Sequence, residues 1–175
     1  MGIAGLEGRD KVTLFASPDV ADFGAWAEQL IAESTGKDGK GLVPIEGETI
    51  GDAAVYGNDR FFIDLRTERE HDAAHEAKLA ALEAAGHPVV RIVMKSIDHI
   101  GQEFFRFEIA TAVAGSILGI NPFNQPDVEA AKIKTRELTA AFEKTGALPA
   151  EQPVVSADGV ELYTDAQNAE ELRKA

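Results

Sequence analysis

The fold is decided by the stretch RFFIDLRTEREHDAAHEAKLAALEAAGHPVVRIVM, residues 60–94. Residues 60–65 predict one strand, and residues 88–94, rich in β-branched side chains, predict another. Between them, residues 68–85 are rich in Ala, Glu and Leu, and Gly86 follows where a helix C-terminal cap is expected. The stretch therefore predicts a strand, a helix and a second strand in succession.

The sequence on either side continues this alternation. Residues 11–17 predict a first strand, and apolar residues at helical spacing predict a helix over residues 20–34. Residues 42–45 form a short apolar run in which Pro44 indicates an edge strand or an irregular one. Two more helices are predicted, a largely apolar one over residues 100–118, which suits burial, and another over residues 126–144.

Strands that alternate with helices predict an α/β fold. We expect a three-layer α/β/α sandwich of the flavodoxin-like kind, with a mostly parallel sheet of about four or five strands. Residues 1–10 are expected to be irregular, and residues 1–149 to form one domain. In residues 150–175, Asp158-Gly159 between two apolar runs predicts a hairpin, followed by a short helix over residues 166–174. That region is interpreted as the start of a further segment.

Composition and charge exclude several classes of function. The 175 residues carry a net charge of −13, which argues against nucleic acid as a partner and means that a phosphate ligand needs local donors. The chain has no cysteine, which excludes disulfides and fits a cytoplasmic protein. Residues 1–10 lack the apolar core of a signal peptide, and Arg106 and Glu108 interrupt the most apolar stretch. No membrane association is predicted.

The turn NPFNQP, residues 121–126, separates two predicted helices and combines two prolines, three amide side chains and an aromatic ring. Pro126 suits the first turn of a helix, whose N-terminus favours anions. Lys132 lies seven residues after Gln125, so both side chains can face one cleft. The alternative interpretation is an ordinary helix–helix turn followed by a surface lysine.

The segment INPFNQPDVEAAK, residues 120–132, resembles the C-terminal signature of glucose-6-phosphate isomerases, Asn-x-Phe-Asp-Gln-x-Gly-Val-Glu-x-x-Lys. The matching positions are Asn121, Phe123, Gln125, Val128, Glu129 and Lys132. The departures are Asn124, where the family has Asp, and Asp127, where it has Gly. With Asn124 the turn lacks a negative charge of the family pattern.

A second segment, AESTGKDGKGLVP at residues 32–44, resembles the Glu-Ser-x-Gly-Lys stretch of the same family, with Glu33 at its catalytic glutamate. The two motifs stand in the family's order, about 90 residues apart. The resemblance covers roughly residues 11–145 and is greatest for the isomerase part of fused transaldolase–glucose-6-phosphate isomerases. It implies a sugar isomerase (SIS) domain over residues 1–149 and a larger, transaldolase-fused enzyme.

The resemblance also implies an activity and roles for individual residues. The family interconverts glucose 6-phosphate and fructose 6-phosphate through an enediolate, in glycolysis and gluconeogenesis, without a metal or an organic cofactor. Glu33 would transfer the proton between C1 and C2, and Lys132 would assist ring opening. Gln125 would contact the phosphate. The substrate-binding loop would comprise Ser34, Thr35 and Gly36, with backbone donors that position Glu33.

Other elements of the family's active site were not found in these 175 residues. They are the catalytic histidine of a Gly-Gln-x-His element, a phosphate loop and an arginine. We therefore expect this fragment to be inactive by itself, with the missing domains of the same polypeptide as partners, and a homodimer as the assembly that the resemblance implies. The alternative is a non-catalytic sugar-phosphate-binding SIS module.

Two weaker motifs carry no assignment. His71 and His75 have the spacing of a zinc pair on a helix, but no third ligand is evident, so no metal site is predicted. A flavodoxin-like nucleotide binder would need a Gly-rich turn after the first strand, where residues 17–19 are Ser-Pro-Asp instead.

Overall fold

A computed structural model describes residues 1–172 of the chain. The chain divides into two compact units, Met1–Gln125 and Pro126–Ala175. The domain boundary expected after residue 149 stays a prediction.

The first unit contains a four-stranded sheet in the order β2-β1-β3-β4. Its strands are β1 (Lys11–Ala16), β2 (Val43–Ile45), β3 (Arg60–Thr67) and β4 (Val89–Met94). All three strand pairs are parallel, which confirms the predicted parallel sheet. Pro44 lies in β2 at the edge, where the missing N–H removes no bond between inner strands.

Helices cover both faces of this sheet. The first unit contains α1 (Gly2–Leu6), α2 (Phe23–Thr35), α3 (Ala73–Ala84) and α4 (Ile100–Leu118). On one face, α2 and α4 bury side chains such as Ala27, Ile31 and Phe107 against Val12 and Leu14 of β1. On the other face, α3 packs Leu79 and Leu82 near Phe15 and Phe62. The predicted three-layer α/β/α sandwich is confirmed.

The helix α1 was not predicted, because residues 1–10 were expected to be irregular. It packs against the C-terminal half of α4, with which it makes its main contacts. A Cβ added to Gly2 would lie 2.9 Å from both Ala114 Cα and Ile117 Cβ, so glycine is needed for the close approach. Tertiary packing, and not local propensity, therefore explains this short helix.

The helix α3 begins five residues later than predicted. The strand β3 continues to Thr67, and the Asp72 carboxylate caps the helix by accepting hydrogen bonds from the backbone N–H groups of Ala74 and His75. Similarly, α2 begins at Phe23, after a short 3₁₀ helix at Pro18–Val20. The remaining boundaries lie within about two residues of the predictions, the usual scatter of helix ends.

The prediction that α4 is buried was only half right. Phe107, Ala114 and Leu118 lie in the core, whereas Phe105, Ile109, Val113 and Ile117 are exposed. The exposed residues recur every fourth position, so they form one outward stripe along the helix. The apolar composition of α4 did not distinguish its two faces.

The second unit contains α5 (Pro126–Thr145), β5 (Val155–Ala157), β6 (Val160–Leu162) and α6 (Ala166–Leu172). The strands β5 and β6 pair antiparallel, which confirms the predicted hairpin. Asp158 and Gly159 connect them with φ values of 50° and 79°, as a type I′ turn requires. The last residues of the helix predicted up to residue 174 lie outside the described part of the chain. No helix within residues 1–172 has both the length and the hydropathy needed to cross a membrane.

Candidate active site

The two motif segments meet at one edge of the sheet in the first unit. The helices α2 and α4 each follow a strand of the parallel sheet, so both run antiparallel to the strands. Both helices therefore end beside the N-terminal ends of the strands. Leu42 of the first motif and Leu118 at the end of α4 both lie within 3.3 Å of a Cβ built on Gly5. The fold therefore brings residues 32–44 close to residues 119–125, the segment that follows α4, which we call the glutamine turn.

Glu33 and Gln125 are in direct contact. The Gln125 side-chain amide Nε2 donates a hydrogen bond to Glu33 Oε1 at 2.5 Å, and 92 positions separate the two residues in sequence. Both residues are exposed, so a ligand could reach them from solvent. Two of the predicted site residues are thus brought together at the surface of the first unit.

A buried lysine joins the glutamine turn to the first motif. Lys37 is only 6% exposed, and its Nζ donates hydrogen bonds to the backbone carbonyl oxygens of Asn121, at 3.0 Å, and Asn124. A buried ammonium group needs such partners, because burial without them costs several kcal/mol, on the order of the penalty for an unpaired charge. Lys37 therefore holds the turn that carries Gln125. Sequence reasoning missed this role, although Lys37 is the lysine of the Glu-Ser-x-Gly-Lys pattern.

The predicted substrate loop is held by its own hydrogen bonds. Thr35 is fully buried, and its hydroxyl donates to the Ile31 carbonyl at 2.8 Å and accepts from the Leu42 N–H at 2.9 Å. The Gly36 N–H donates to the Ala32 carbonyl. These bonds fix the C-terminal end of α2, which carries Glu33. Contact of Ser34, Thr35 or Gly36 with a substrate stays a prediction.

The glutamine turn packs tightly onto α4. A Cβ added to Gly115 would lie 2.8 Å from Pro122 Cγ, so only glycine permits this approach. Asn121 Oδ1 accepts a hydrogen bond from the Phe123 N–H at 3.0 Å, which closes the turn locally. Phe123 itself is 83% exposed, so it packs on little of the first unit.

Comparison with the sequences of known proteins identifies the family of this chain. The chain is 30% identical over 165 residues to a glucose-6-phosphate isomerase of Lactobacillus delbrueckii subsp. bulgaricus, and 32% identical over 149 residues to a probable glucose-6-phosphate isomerase of Halobacterium salinarum. A glucose-6-phosphate isomerase of Parabacteroides distasonis is 29% identical over 174 residues. The chain belongs to the glucose-6-phosphate isomerase family. No protein-family model matches it.

The match covers most of this chain but only part of each relative. It includes 74%, 66% and 78% of the chain, and 36%, 35% and 38% of the three isomerases, in the order given above. The chain thus spans little more than a third of the length of these relatives. A crystal structure of a hypothetical protein from Thermus thermophilus has a TM-score of 0.61 with 20% identity, over 79% of this chain and 44% of that one. That similarity supports the fold alone.

Lys132, the third residue of the family pattern with a predicted role, lies on α5 in the second unit and is exposed. On the same helix, Glu129 accepts a hydrogen bond from Arg136 Nη2 at 2.9 Å. The roles in one active site that the resemblance implies for Lys132 and Glu33 stay predictions.

The chemistry available in the first unit is that of an oriented carboxylate. A hydrogen bond from Gln125 fixes Oε1 of Glu33, and no hydrogen bond among residues 1–172 engages Oε2. A carboxylate held in this way can accept a proton and return it. Within the same residues, no group of three or more His, Asp or Glu side chains is arranged to hold a metal ion.

Proposed function

We propose that this chain provides part of the active site of an aldose–ketose isomerase that interconverts glucose 6-phosphate and fructose 6-phosphate. The observation that carries the proposal is the hydrogen bond between Gln125 and Glu33, which joins the two family motifs in space. The sequence identity of about 30% to glucose-6-phosphate isomerases supports the same substrate class.

Glu33 is the proposed proton-transfer group. Its carboxylate removes the proton from C2 of the open-chain aldose and returns it to C1 of the enediolate, while the hydroxyl proton of O2 is transferred to O1. The carboxylate is regenerated at the end of the reaction, so no cofactor is consumed. Such transfer by a positioned side chain contributes a factor of about 10² to 10⁴ to the rate.

The neighbouring residues have positioning and binding roles in this proposal. Lys37 and the Thr35 hydrogen bonds hold the backbone on both sides of Glu33, since a catalytic group needs support of this kind to keep its geometry. Gln125 orients the carboxylate and contacts the substrate phosphate when the sugar is bound. Lys132 assists opening of the sugar ring.

The proposal assigns the complete reaction to a larger enzyme. The chain corresponds to about a third of each curated relative, which supports a requirement for further residues of the isomerase. Within that enzyme, residues 1–149 form the SIS domain, and the resemblance to transaldolase-fused isomerases supports a fusion of that kind. A cytoplasmic location and a homodimer complete the proposal.

A non-catalytic sugar-phosphate-binding module is the second candidate. The observation that favours it is Asn124, because the family pattern has an aspartate at this position of the glutamine turn. Such a module would bind the substrate without converting it.

The variant Glu33→Gln in the full-length enzyme tests the proposal. We expect isomerase turnover to fall by about 10² to 10⁴-fold, because the amide cannot take up the proton. Binding of 6-phosphogluconate, measured by calorimetry, should be retained. The matched control is Glu28→Gln, an exposed glutamate on the same helix, and it should keep normal turnover. Normal turnover in Glu33→Gln would refute the catalytic assignment, and binding without turnover in the wild-type enzyme would establish the second candidate.

A further inference from the structure

The loop after α2 contains a dipeptide that is prone to a slow chemical change of the backbone. Asp38 is followed by Gly39, and the same dipeptide occurs once more, at Asp158 and Gly159. Because glycine has no Cβ to shield its peptide nitrogen, the Gly39 nitrogen can approach the side-chain carboxyl carbon of Asp38 closely. The proposed isomerase reaction assigns no role to either residue.

The change converts aspartate to isoaspartate and needs only water. The Gly39 nitrogen forms a bond to Cγ of Asp38, and the carboxyl hydroxyl group leaves as water with the amide proton, which gives a five-membered succinimide ring. Water then adds to the backbone carbonyl carbon of residue 38, and the bond from this carbon to the Gly39 nitrogen breaks. The chain then continues through Cγ. Nothing is oxidised or reduced, and the mass of the protein is unchanged.

The groups that react are accessible in the folded chain. Asp38 and Gly39 are exposed, and no hydrogen bond or ion pair of the described residues engages the Asp38 carboxylate or the Gly39 N–H. A Cβ built on Gly39 meets nothing within 4 Å, so there is space for the ring. The turn is closed by a hydrogen bond from the Lys40 N–H to the Lys37 carbonyl at 3.0 Å. An exposed turn of this kind opens at low cost, which lets the ring form.

The backbone of Asp38 is also in an unfavourable conformation. Its φ is 54°, in the left-handed region, and Gly39 follows with a φ of 67°. Left-handed backbone is uncommon for residues other than glycine, although aspartate tolerates it better than most. Conversion to isoaspartate removes this restriction, since the chain no longer passes through the same backbone carbonyl.

The loop has no room for an additional backbone atom. A Cβ added to Gly41 would lie 2.9 Å from Gly36 Cα, so the two ends of the loop are in close contact. The Thr35 hydroxyl accepts a hydrogen bond from the Leu42 N–H at 2.9 Å and fixes the same two ends. Isoaspartate lengthens the backbone by one C–C bond, about 1.5 Å. The conversion must therefore displace the residues between Gly36 and Gly41.

Lys37 is the residue most directly affected by this displacement. It immediately precedes Asp38, and its buried Nζ donates to the carbonyl oxygens of Asn121 and Asn124 in the glutamine turn. The Lys37 N–H donates to the Thr35 carbonyl at 2.7 Å, so its backbone is held within the same loop. A change in the path of this loop withdraws the ammonium group from the glutamine turn.

We propose that Asp38 is a site of isoaspartate formation, and that the conversion releases the glutamine turn from the first motif. The modification follows from the structure of the loop and does not depend on the proposed isomerase activity. The second dipeptide, in the turn between β5 and β6, provides a reference within the chain, because it has the same sequence and the same left-handed backbone. None of the contacts of Lys37 includes it.

The proposal is tested by ageing the isotope-labelled 175-residue chain at pH 7 and 37 °C. Isoaspartate is located by proteolytic digestion with mass spectrometry, and its amount is measured with an isoaspartyl carboxyl methyltransferase. We expect isoaspartate to accumulate at position 38 over weeks. A second backbone amide signal of Gln125 should grow in the NMR spectrum in proportion to it. Asp38→Glu should lose both effects, because a six-membered imide forms far more slowly.

Two further variants complete the test. Asp158→Glu makes the same substitution in the other dipeptide, and it should still form isoaspartate at position 38 and show the second Gln125 signal. Asp38→Asn reaches the same succinimide with ammonia leaving in place of water, so both changes should appear within days. Absence of isoaspartate at position 38 in the aged wild type would overturn the proposal, and so would conversion that leaves a single, unchanged Gln125 signal.

Discussion

The Gln125 side-chain amide donates a hydrogen bond to the Glu33 carboxylate, and this contact links the end of α2 to the turn after α4. Neither residue is buried, so the contact depends on the backbone that carries each of them. That backbone is held by Lys37 on one side and by the packing of Pro122 against Gly115 on the other.

Replacing Gln125 by Glu should alter the pH dependence of isomerisation in the full-length enzyme. The variant places a second carboxylate beside Glu33, and two adjacent carboxylates raise each other's pKa because both cannot ionise easily. We expect the acidic limb of the kcat/KM profile to move up by about one pH unit. Gln102→Glu, on the first turn of α4, is the control and should leave the profile unchanged. An unshifted profile in Gln125→Glu would show that the two side chains are apart in the working enzyme.

Replacing Lys37 by Met should destabilise the first unit. The variant keeps the apolar stem but leaves the carbonyl groups of Asn121 and Asn124 without their donor. We expect the free energy of unfolding to fall by about 2 to 3 kcal/mol, as measured by urea titration. Lys40→Met, at an exposed position in the same loop, should change it by less than about 0.5 kcal/mol. Similar losses in both variants would contradict the bridging role of Lys37.

Replacing Gly115 by Ala should displace the glutamine turn. The new methyl group would meet Pro122 at 2.8 Å, so the turn or the helix must shift. We expect a loss of about 1 to 3 kcal/mol in unfolding free energy and altered NMR shifts at Gln125. In the same helix, a Cβ at Gly101 meets nothing within 4 Å, so Gly101→Ala should be neutral or stabilising. If the two alanine variants behave alike, helix propensity and not the turn contact decides the outcome.

Asp19 should contribute to the pH dependence of stability. Hydrogen bonds from the Ser17 and Thr67 hydroxyl groups, together with the nearby Arg69, lower the pKa of the Asp19 carboxyl below its ordinary value of 3.8. A lowered carboxyl pKa stabilises the folded state above the ordinary pKa, and this contribution is lost as the pH falls through the folded-state value. We therefore expect stability to decline below about pH 4.

The variant Asp19→Asn separates this contribution from that of other carboxyl groups. Urea titrations at pH 7, 4 and 3 should show that the free energy of unfolding falls less with pH in the variant than in the wild type. Asp52→Asn, at an exposed position, should decline as the wild type does. If the unfolding free energy of Asp19→Asn falls with pH as steeply as that of the wild type, the hydroxyl contacts of Asp19 do not control its titration.

The sheet was predictable because its strands carry strong local signals. Residues 60–67 and 89–94 are β-rich runs separated by a helix with a glycine after it, and Pro44 identified the edge strand. The helix α1 carries no such signal, since its five residues include two glycines and its stability comes from contact with α4. The exposed stripe of α4 was not predicted either, because composition gives no information about which face of a helix packs against the core.

The candidate site could be predicted only as far as it follows a family pattern. Glu33 and Gln125 were identified from their motifs, and the structure brings them into contact. The role of Lys37 depends on carbonyl groups of a turn 84 and 87 residues away, which no local pattern encodes. The contact between Asp64 Oδ1 and His75 Nε2, which lie 2.7 Å apart, was missed for the same reason, because it joins a buried position of β3 to the first turn of α3.

The outward stripe of α4 affects how the isolated chain must be handled. From Phe105 to Ile117 it forms a nonpolar ladder about 18 Å long, at about 1.5 Å per helical residue. Because exposed apolar patches favour association, we expect this ladder to bind apolar dyes and detergents and to promote self-association at high concentration. Light scattering and elution volume should therefore be followed over the whole concentration range of any titration, so that a measured transition reports on the single chain and not on clustering of the protein.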